Sequence, residues 1–140
     1  MKYHYVLDCS VTMAWFFGDD ITQATDKLKD DLGEGAVVVP MIWALEVANV
    51  LWLLERKQRI KAYHSEKVQN IIELLPIETD AEPRAMGRLL GLAREYEITI
   101  YDAAYLELSL RHGIPLATVD KKLMGAAISA GIPILPKILI

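Results

Sequence analysis

The chain is poor in everything that would cross-link it, anchor it or draw it to a polyanion by charge alone. Cys9 is its only cysteine among 140 residues, so no disulfide can close within the chain. That suits a reducing compartment. The opening MKYHYVLDC has no apolar h-region, so a cytoplasmic protein is expected. There is no glycine-rich phosphate loop. His4, His64 and His112 show no metal-ligand spacing. Basic residues are not in excess: 15 Lys and Arg stand against 19 Asp and Glu, a net charge of −4. Binding nucleic acid by bulk charge is therefore disfavoured. No repeat, low-complexity tract or linker occurs.

Long apolar runs are also scarce. One, Ala36 to Leu54, approaches the length of a membrane span. It contains Pro40, Glu46 and Asn49, and an ionised Glu near the centre of a span costs roughly 3 kcal/mol. A short buried strand, a turn at Pro40 and a buried helix account for it, and no membrane association is expected.

What is present is a globular composition. The chain is 53% hydrophobic and 24% charged, enough for a sizeable core in one domain, 1–140. YHYVL reads as a strand and VTMAWFF as a short helix stopped by Gly18. Asp20 with Gln23 reads as a capping box opening a second helix, ended by Gly33 or Gly35. AVVV is a short buried strand. Ile42 to Arg56 is a helix apolar almost all round, expected to be buried on most faces, with Trp43 and Trp52 as core. Lys61 to Leu75 is an amphipathic helix, followed by a strand at IET. Pro83 suits the first turn of a helix reaching Tyr96. Asp102 to His112 is a helix with Gly113 as its left-handed stop. PLATV is a strand, Lys121 to Ala130 a helix and IPIL a last strand. Strands alternating with helices imply a mostly parallel sheet covered on both faces, an α/β fold. The charged run DKLKDD fits a solvated helix face.

The acids fall in a pattern. Asp8 directly follows YHYVL, and Asp120 directly follows PLATV, so both lie at carboxyl ends of strands. Ligands bind at that edge in open α/β sheets. Asp102 begins a helix after a short extended piece, and Glu46 lies one turn into the helix after AVVV. Simpler roles exist for three of them. Asp8, or Ser10, could cap the following helix, and Asp102 and Asp120 could cap theirs. Glu46 is harder to account for, because Trp43, Leu45, Val47, Val50 and Leu53 surround it in the helix and the nearest basic residue there is Arg56. If all four meet, two carboxylates about 5 Å apart at an effective dielectric of about 20 repel by roughly 3 kcal/mol. The sum over six pairs then rivals the whole stability of a small domain, about 5–15 kcal/mol. Divalent cations relieve such repulsion, and oxygen-only ligands select hard ions such as Mg²⁺ or Mn²⁺. Ser10 and Thr118 are placed to hold a water or act as hydroxyl ligands. Asn49, one turn from Glu46, is placed to orient it.

The segments YVLDCS, PMIWALEVANVL, ITIYDAAYLELSL and PLATVDKKL together resemble the PIN-domain family of nucleases, and within it the small single-domain toxins of the VapC type. The likeness covers almost the whole chain, with the four acidic positions in the expected order; YDAAYLELSL is its strongest part. The resemblance implies a parallel five-stranded α/β/α sandwich and a metal-dependent endonuclease acting on RNA. It implies Asp8, Glu46, Asp102 and Asp120 as the catalytic, metal-binding acids, with Ser10 and Thr118 at hydroxyl positions. It also implies a homodimer and a cognate antitoxin whose tail enters the active-site groove. Cys9 departs from the small or hydroxyl residue usual there.

With the four acids set apart, the formal charge is −4 + 4 = 0. RNA can then approach, provided basic residues hold its phosphates. Lys121 and Lys122, next to Asp120, are the first candidates, and Arg84 and Arg88 the second; each could equally be a solvated surface charge. Two other readings compete. An aspartate-nucleophile phosphatase needs a second acid two residues after the first, where Ser10 stands. A catalytically inactive PIN-like module would bind RNA or protein without turnover.

Overall fold

A computed structural model describes residues 3–17, 22–30, 35–82 and 86–137, with backbone alone at 22–24. The strands are β1 (Tyr3–Leu7), β2 (Ala36–Val39), β3 (Ile77–Thr79), β4 (Leu116–Ala117) and β5 (Ile134–Leu135). They form one sheet in the order β3-β2-β1-β4-β5, parallel at every pairing. Val6 pairs with Val38 on one side and Leu116 on the other. The helices are α1 (Cys9–Phe17), α2 (Thr22–Asp30), α3 (Ile42–Arg56), α4 (Ala62–Leu74), α5 (Met86–Tyr96), α6 (Ile100–His112) and α7 (Lys121–Ser129).

Side chains on a strand alternate between faces. Val6 and Leu7 are both wholly buried, as are Val37 and Val39 with Val38 at 1% exposure. Helices therefore cover both faces of the sheet, the situation that makes parallel strands read as unbroken apolar runs. The α/β architecture expected from the alternating pattern is the one observed.

The chain builds the sheet outward from β1 in one direction, to β2 and β3, and then returns to add β4 and β5 on the other side. The order reverses between β1 and β4, which opens a crevice at their carboxyl ends. Asp8 N–H donates to Ala117 O at 3.0 Å and fixes one side of that crevice to the other.

Three expectations need correction. The helix expected to start at Asp102 starts at Ile100, because Thr99 supplies the cap: its hydroxyl accepts the Asp102 N–H at 3.0 Å. The helix ends as expected at Gly113, at φ 64°, whose N–H donates to Ser109 O. Helix α3 is not buried on most faces. Trp43, Val47 and Leu51 turn inward, while Leu45 and Trp52 are 67% and 56% exposed. Among the described residues only one side of α3 is covered, so apolar residues on its other sides stay exposed there, and Trp52 is not core. Strand β4 is shorter than PLATV, since pairing stops at Ala117 before the chain turns into α7. Gly18, Asp20, Gly33, Pro83 and the side chain of Gln23 lie outside the described residues. Among those described, no helix is long and apolar enough to cross a membrane; the run from Ala36 divides between β2 and α3.

Candidate metal centre

Asp8 leaves β1 at the crevice and is buried, with 6% exposure. Its Oδ2 accepts two hydroxyl protons, from Ser10 at 2.6 Å and Thr118 at 2.8 Å. Both hydroxyls accept in turn from the β4–α7 connection: Ser10 Oγ takes the Val119 N–H and Thr118 Oγ1 the Asp120 N–H, each at 3.0 Å. Two small side chains thus hold one carboxylate and bind two segments of the crevice together. Ser10 and Thr118, expected to hold a water or act as hydroxyl ligands, both spend their hydroxyl protons on Asp8. Burial nonetheless outweighs these bonds and raises the Asp8 pKa, with Asp120 adding to the rise.

Glu46 projects from α3 toward α6. Tyr105, wholly buried, donates its hydroxyl to Glu46 Oε1 at 2.6 Å. Among the described residues, Oε2 has no hydrogen-bond partner. Desolvation raises the Glu46 pKa, and Asp8 and Asp120 raise it further against the phenol's opposing effect. The partner that the sequence did not reveal for Glu46 is therefore Tyr105. Asn49, expected to orient Glu46, lies exposed and lines with it an open cavity of about 320 Å³ together with Ile42, Leu45 and Tyr101, without bonding to it.

Asp102 sits in the first turn of α6, partly buried. Desolvation, then Asp120, Asp8 and Glu46, push its pKa up to about 6 against the pull of Thr99. Asp120 is exposed and caps α7, its Oδ1 accepting the Leu123 N–H at 3.0 Å. The capping role and the place at the crevice are compatible, since one carboxylate oxygen suffices for the cap. Cys9, beside Asp8, is buried and its thiol is pushed up to about 12 by burial, Asp8 and Glu46.

Four carboxylates from four separate segments of chain therefore feel one another. Asp102 is raised by the other three, and Glu46 by Asp8 and Asp120. No described lysine or arginine holds any of the three shifted acids down. They do not, however, form a closed cage: among the described residues no group of three Asp, Glu, His or Cys side chains stands ready to hold a metal ion. Each acid is turned onto its own partner: Asp8 onto hydroxyls, Glu46 onto a phenol, Asp102 onto Thr99, Asp120 onto a backbone N–H. The donor set itself fits a hard divalent ion, being all oxygen, negative and uncompensated.

The basic candidates are more scattered. Lys121 and Lys122 are exposed on α7 and border an open cavity of about 640 Å³ with Glu95 and Glu97. Arg88 is exposed on α5. Arg84 lies outside the described residues. The sequence reading missed Tyr105 and Thr99. A signal for Tyr105 was available: it follows Asp102 by three residues, one helical turn on, as the one polar-tipped residue in the stretch AAYL.

Comparison with known proteins places these features in a context. Residues 5–128 match the family model described as PIN domain. The crystal structure of PAE2754 from Pyrobaculum aerophilum resembles the chain with a TM-score of 0.70 at 22% identity, over 90% of this chain and 86% of that one. That likeness is one of fold. No curated protein matches the chain.

Proposed function

The chain belongs to the PIN-domain family, whose members are generally metal-dependent nucleases, and from that premise we propose that it is a metal-dependent endoribonuclease of the VapC type, the toxin of a type II toxin–antitoxin pair. One observation carries the reading: Asp8, Glu46 and Asp102 are all raised in pKa at the strand-order crevice, with no described cation to offset them. Raised and uncompensated acids are costly in a fold and are found where chemistry requires them.

Asp8, Glu46, Asp102 and Asp120 are the residues that would hold Mg²⁺ or Mn²⁺. Bound there, such an ion supplies Lewis-acid stabilisation of the charge that develops as water displaces a phosphodiester oxygen in line. The chain's own part is positioning. Ser10 and Thr118 fix Asp8, Tyr105 fixes Glu46, and Thr99 steadies the turn that carries Asp102. Lys121 and Lys122, next to Asp120, hold the RNA backbone, with Arg88 and Arg84 as further contacts.

The partners proposed are RNA, a second copy of the chain and an antitoxin protein. The exposed Leu45, Trp52 and Leu53 of α3 support protein partners, because large apolar side chains left in solvent on one helix suit an interface. A cytoplasmic location is part of the same reading. The alternative, an inactive RNA- or protein-binding module, is favoured by one observation, the absence of a ready three-ligand group among the described residues.

The test is cleavage of a mixed cellular RNA pool by purified protein with Mg²⁺, with Mn²⁺ and with chelator, beside Asp102→Asn. Metal-dependent cutting that the variant lacks is the expected result. Full activity in Asp102→Asn would remove Asp102 from the site. Metal binding with no turnover on any RNA would select the binding module.

A further inference from the structure

Tyr105 stands out among the buried polar groups. It is one of the largest wholly buried side chains, and its phenol tip reaches no solvent. Its hydroxyl makes one short bond, 2.6 Å, to Glu46 Oε1. The bond joins α3 to α6 and so links the helix carrying Glu46 to the helix carrying Asp102. A phenol on a wholly buried ring cannot follow a carboxylate that swings away. It holds one oxygen and leaves Oε2, unpartnered among the described residues, as the oxygen on offer.

That distinction matters for the choice of ion. Ca²⁺ takes six to eight oxygens and commonly a bidentate glutamate, whereas Mg²⁺ requires near-octahedral geometry with single oxygens. We propose that Tyr105 is a positioning residue that keeps Glu46 a one-oxygen ligand and thereby biases the centre toward small octahedral cations and against Ca²⁺. The inference rests on the metal-centre reading above. It concerns the orientation of Glu46 and not the ionisation of any group.

The test is calorimetric titration of the full chain with Mn²⁺ and with Ca²⁺, in wild type, Tyr105→Phe, Glu46→Gln and the double variant, with melting temperatures alongside. Tyr105→Phe keeps the ring and removes one hydroxyl. Its Mn²⁺ affinity is expected to fall by about tenfold, the usual scale for losing a group that orients a ligand. Its preference for Mn²⁺ over Ca²⁺ is expected to narrow, which a purely structural role would not produce. Both effects should vanish in the Glu46→Gln background. Unchanged affinity and preference in Tyr105→Phe would overturn the proposal. No Mn²⁺ binding by the wild type would overturn the metal-centre reading itself, and the two failures are thus distinct. Should Tyr105→Phe not fold, proton NMR of the wild type decides: the hydrogen-bonded Tyr105 hydroxyl resonance should persist when Mg²⁺ is added. Its loss on Mg²⁺ addition would show Glu46 leaving the phenol and would overturn the proposal.

Discussion

Beyond the end of β3, Asp80 and Glu107 close on Arg111; beyond the ends of β1 and β4, Asp8, Glu46, Asp102 and Asp120 close on no described cation. The first group is a set of ion pairs. Arg111 Nη2 lies 2.7 Å from Asp80, its Nε 2.9 Å from Glu107 and its Nη1 3.5 Å from Glu82. Glu107 keeps 7% of its side chain exposed and can do so because the guanidinium is beside it, which in turn holds Arg111 firmly protonated. In the second group burial is comparable for Asp8, yet among the described residues the partners are hydroxyls and backbone N–H groups. Hydroxyls orient a carboxylate without neutralising it. The same residue types therefore serve two ends: with an arginine they tie α6 to the segment after β3, and without one they leave negative charge for something that binds from outside.

The comparison can be broken at either end. The largest effect is expected at the uncompensated group. Asp8→Asn should cut RNA cleavage by more than about a hundredfold, the upper cost of losing a residue that merely supports a ligand. Circular dichroism should show the fold unchanged. Arg111→Met comes next and acts on the other group. Leaving Glu107 and Asp80 without their cation should cost about 3 kcal/mol in urea unfolding, while the Mn²⁺ affinity of the folded protein stays as in the wild type.

A third variant sharpens the contrast by pH. The Asp102 pKa rises from 3.8 to about 6 on folding. The folded state thus holds the proton more tightly than the unfolded state. Stability from this group is fully present below about pH 4 and is lost as pH rises through 6. Asp102→Asn removes that loss. With solvent screening of a half-buried group taken into account, the gain at pH 7.5 is on the order of 1 kcal/mol, or about 4 °C in melting temperature. At pH 3.5 wild type and variant should melt together. A variant less stable than wild type at pH 7.5 would mean that Asp102 is not repelled there. An effect of the same size and opposite sign is expected from Ser10→Ala, which removes a proton donor from Asp8 and an acceptor from Val119 N–H; about 1 kcal/mol of stability should be lost, measured by urea unfolding.

Much of this was legible from residues alone because parallel sheets and helix ends leave local marks. YHYVL, AVVV and IET are short apolar or β-prone runs, and Gly113 stops α6 at a left-handed residue. Asp8 and Asp120 could be placed at the sheet edge because each follows its strand run closely, whatever the strand's exact end. The burial of α3 was not legible. Composition shows that Leu45 and Trp52 are apolar, but which side of a helix meets the core depends on distant packing. The Tyr105–Glu46 bond was equally out of reach, since it joins residues 59 apart. The Thr99 cap was missed because Asp102 itself is a good cap residue and masked the better placed threonine three positions earlier. Arg111 did not stand out either: Glu107 is one turn before it in α6, but Asp80 and Glu82 come from the distant segment after β3.

The central claim is that the uncompensated acids await a divalent cation. The most direct measurement is the melting temperature of the wild type and of Asp8→Asn at pH 7.5, each with chelator and with Mn²⁺ in large excess. An ion bound only by the folded state, at about 100 times its Kd, adds about 2.7 kcal/mol, or roughly 10 °C for a chain of this size. The account predicts a rise of that order in the wild type and little or none in Asp8→Asn. Equal melting of the wild type with Mn²⁺ and with chelator would contradict it, and would mean that the four acids are not a metal centre.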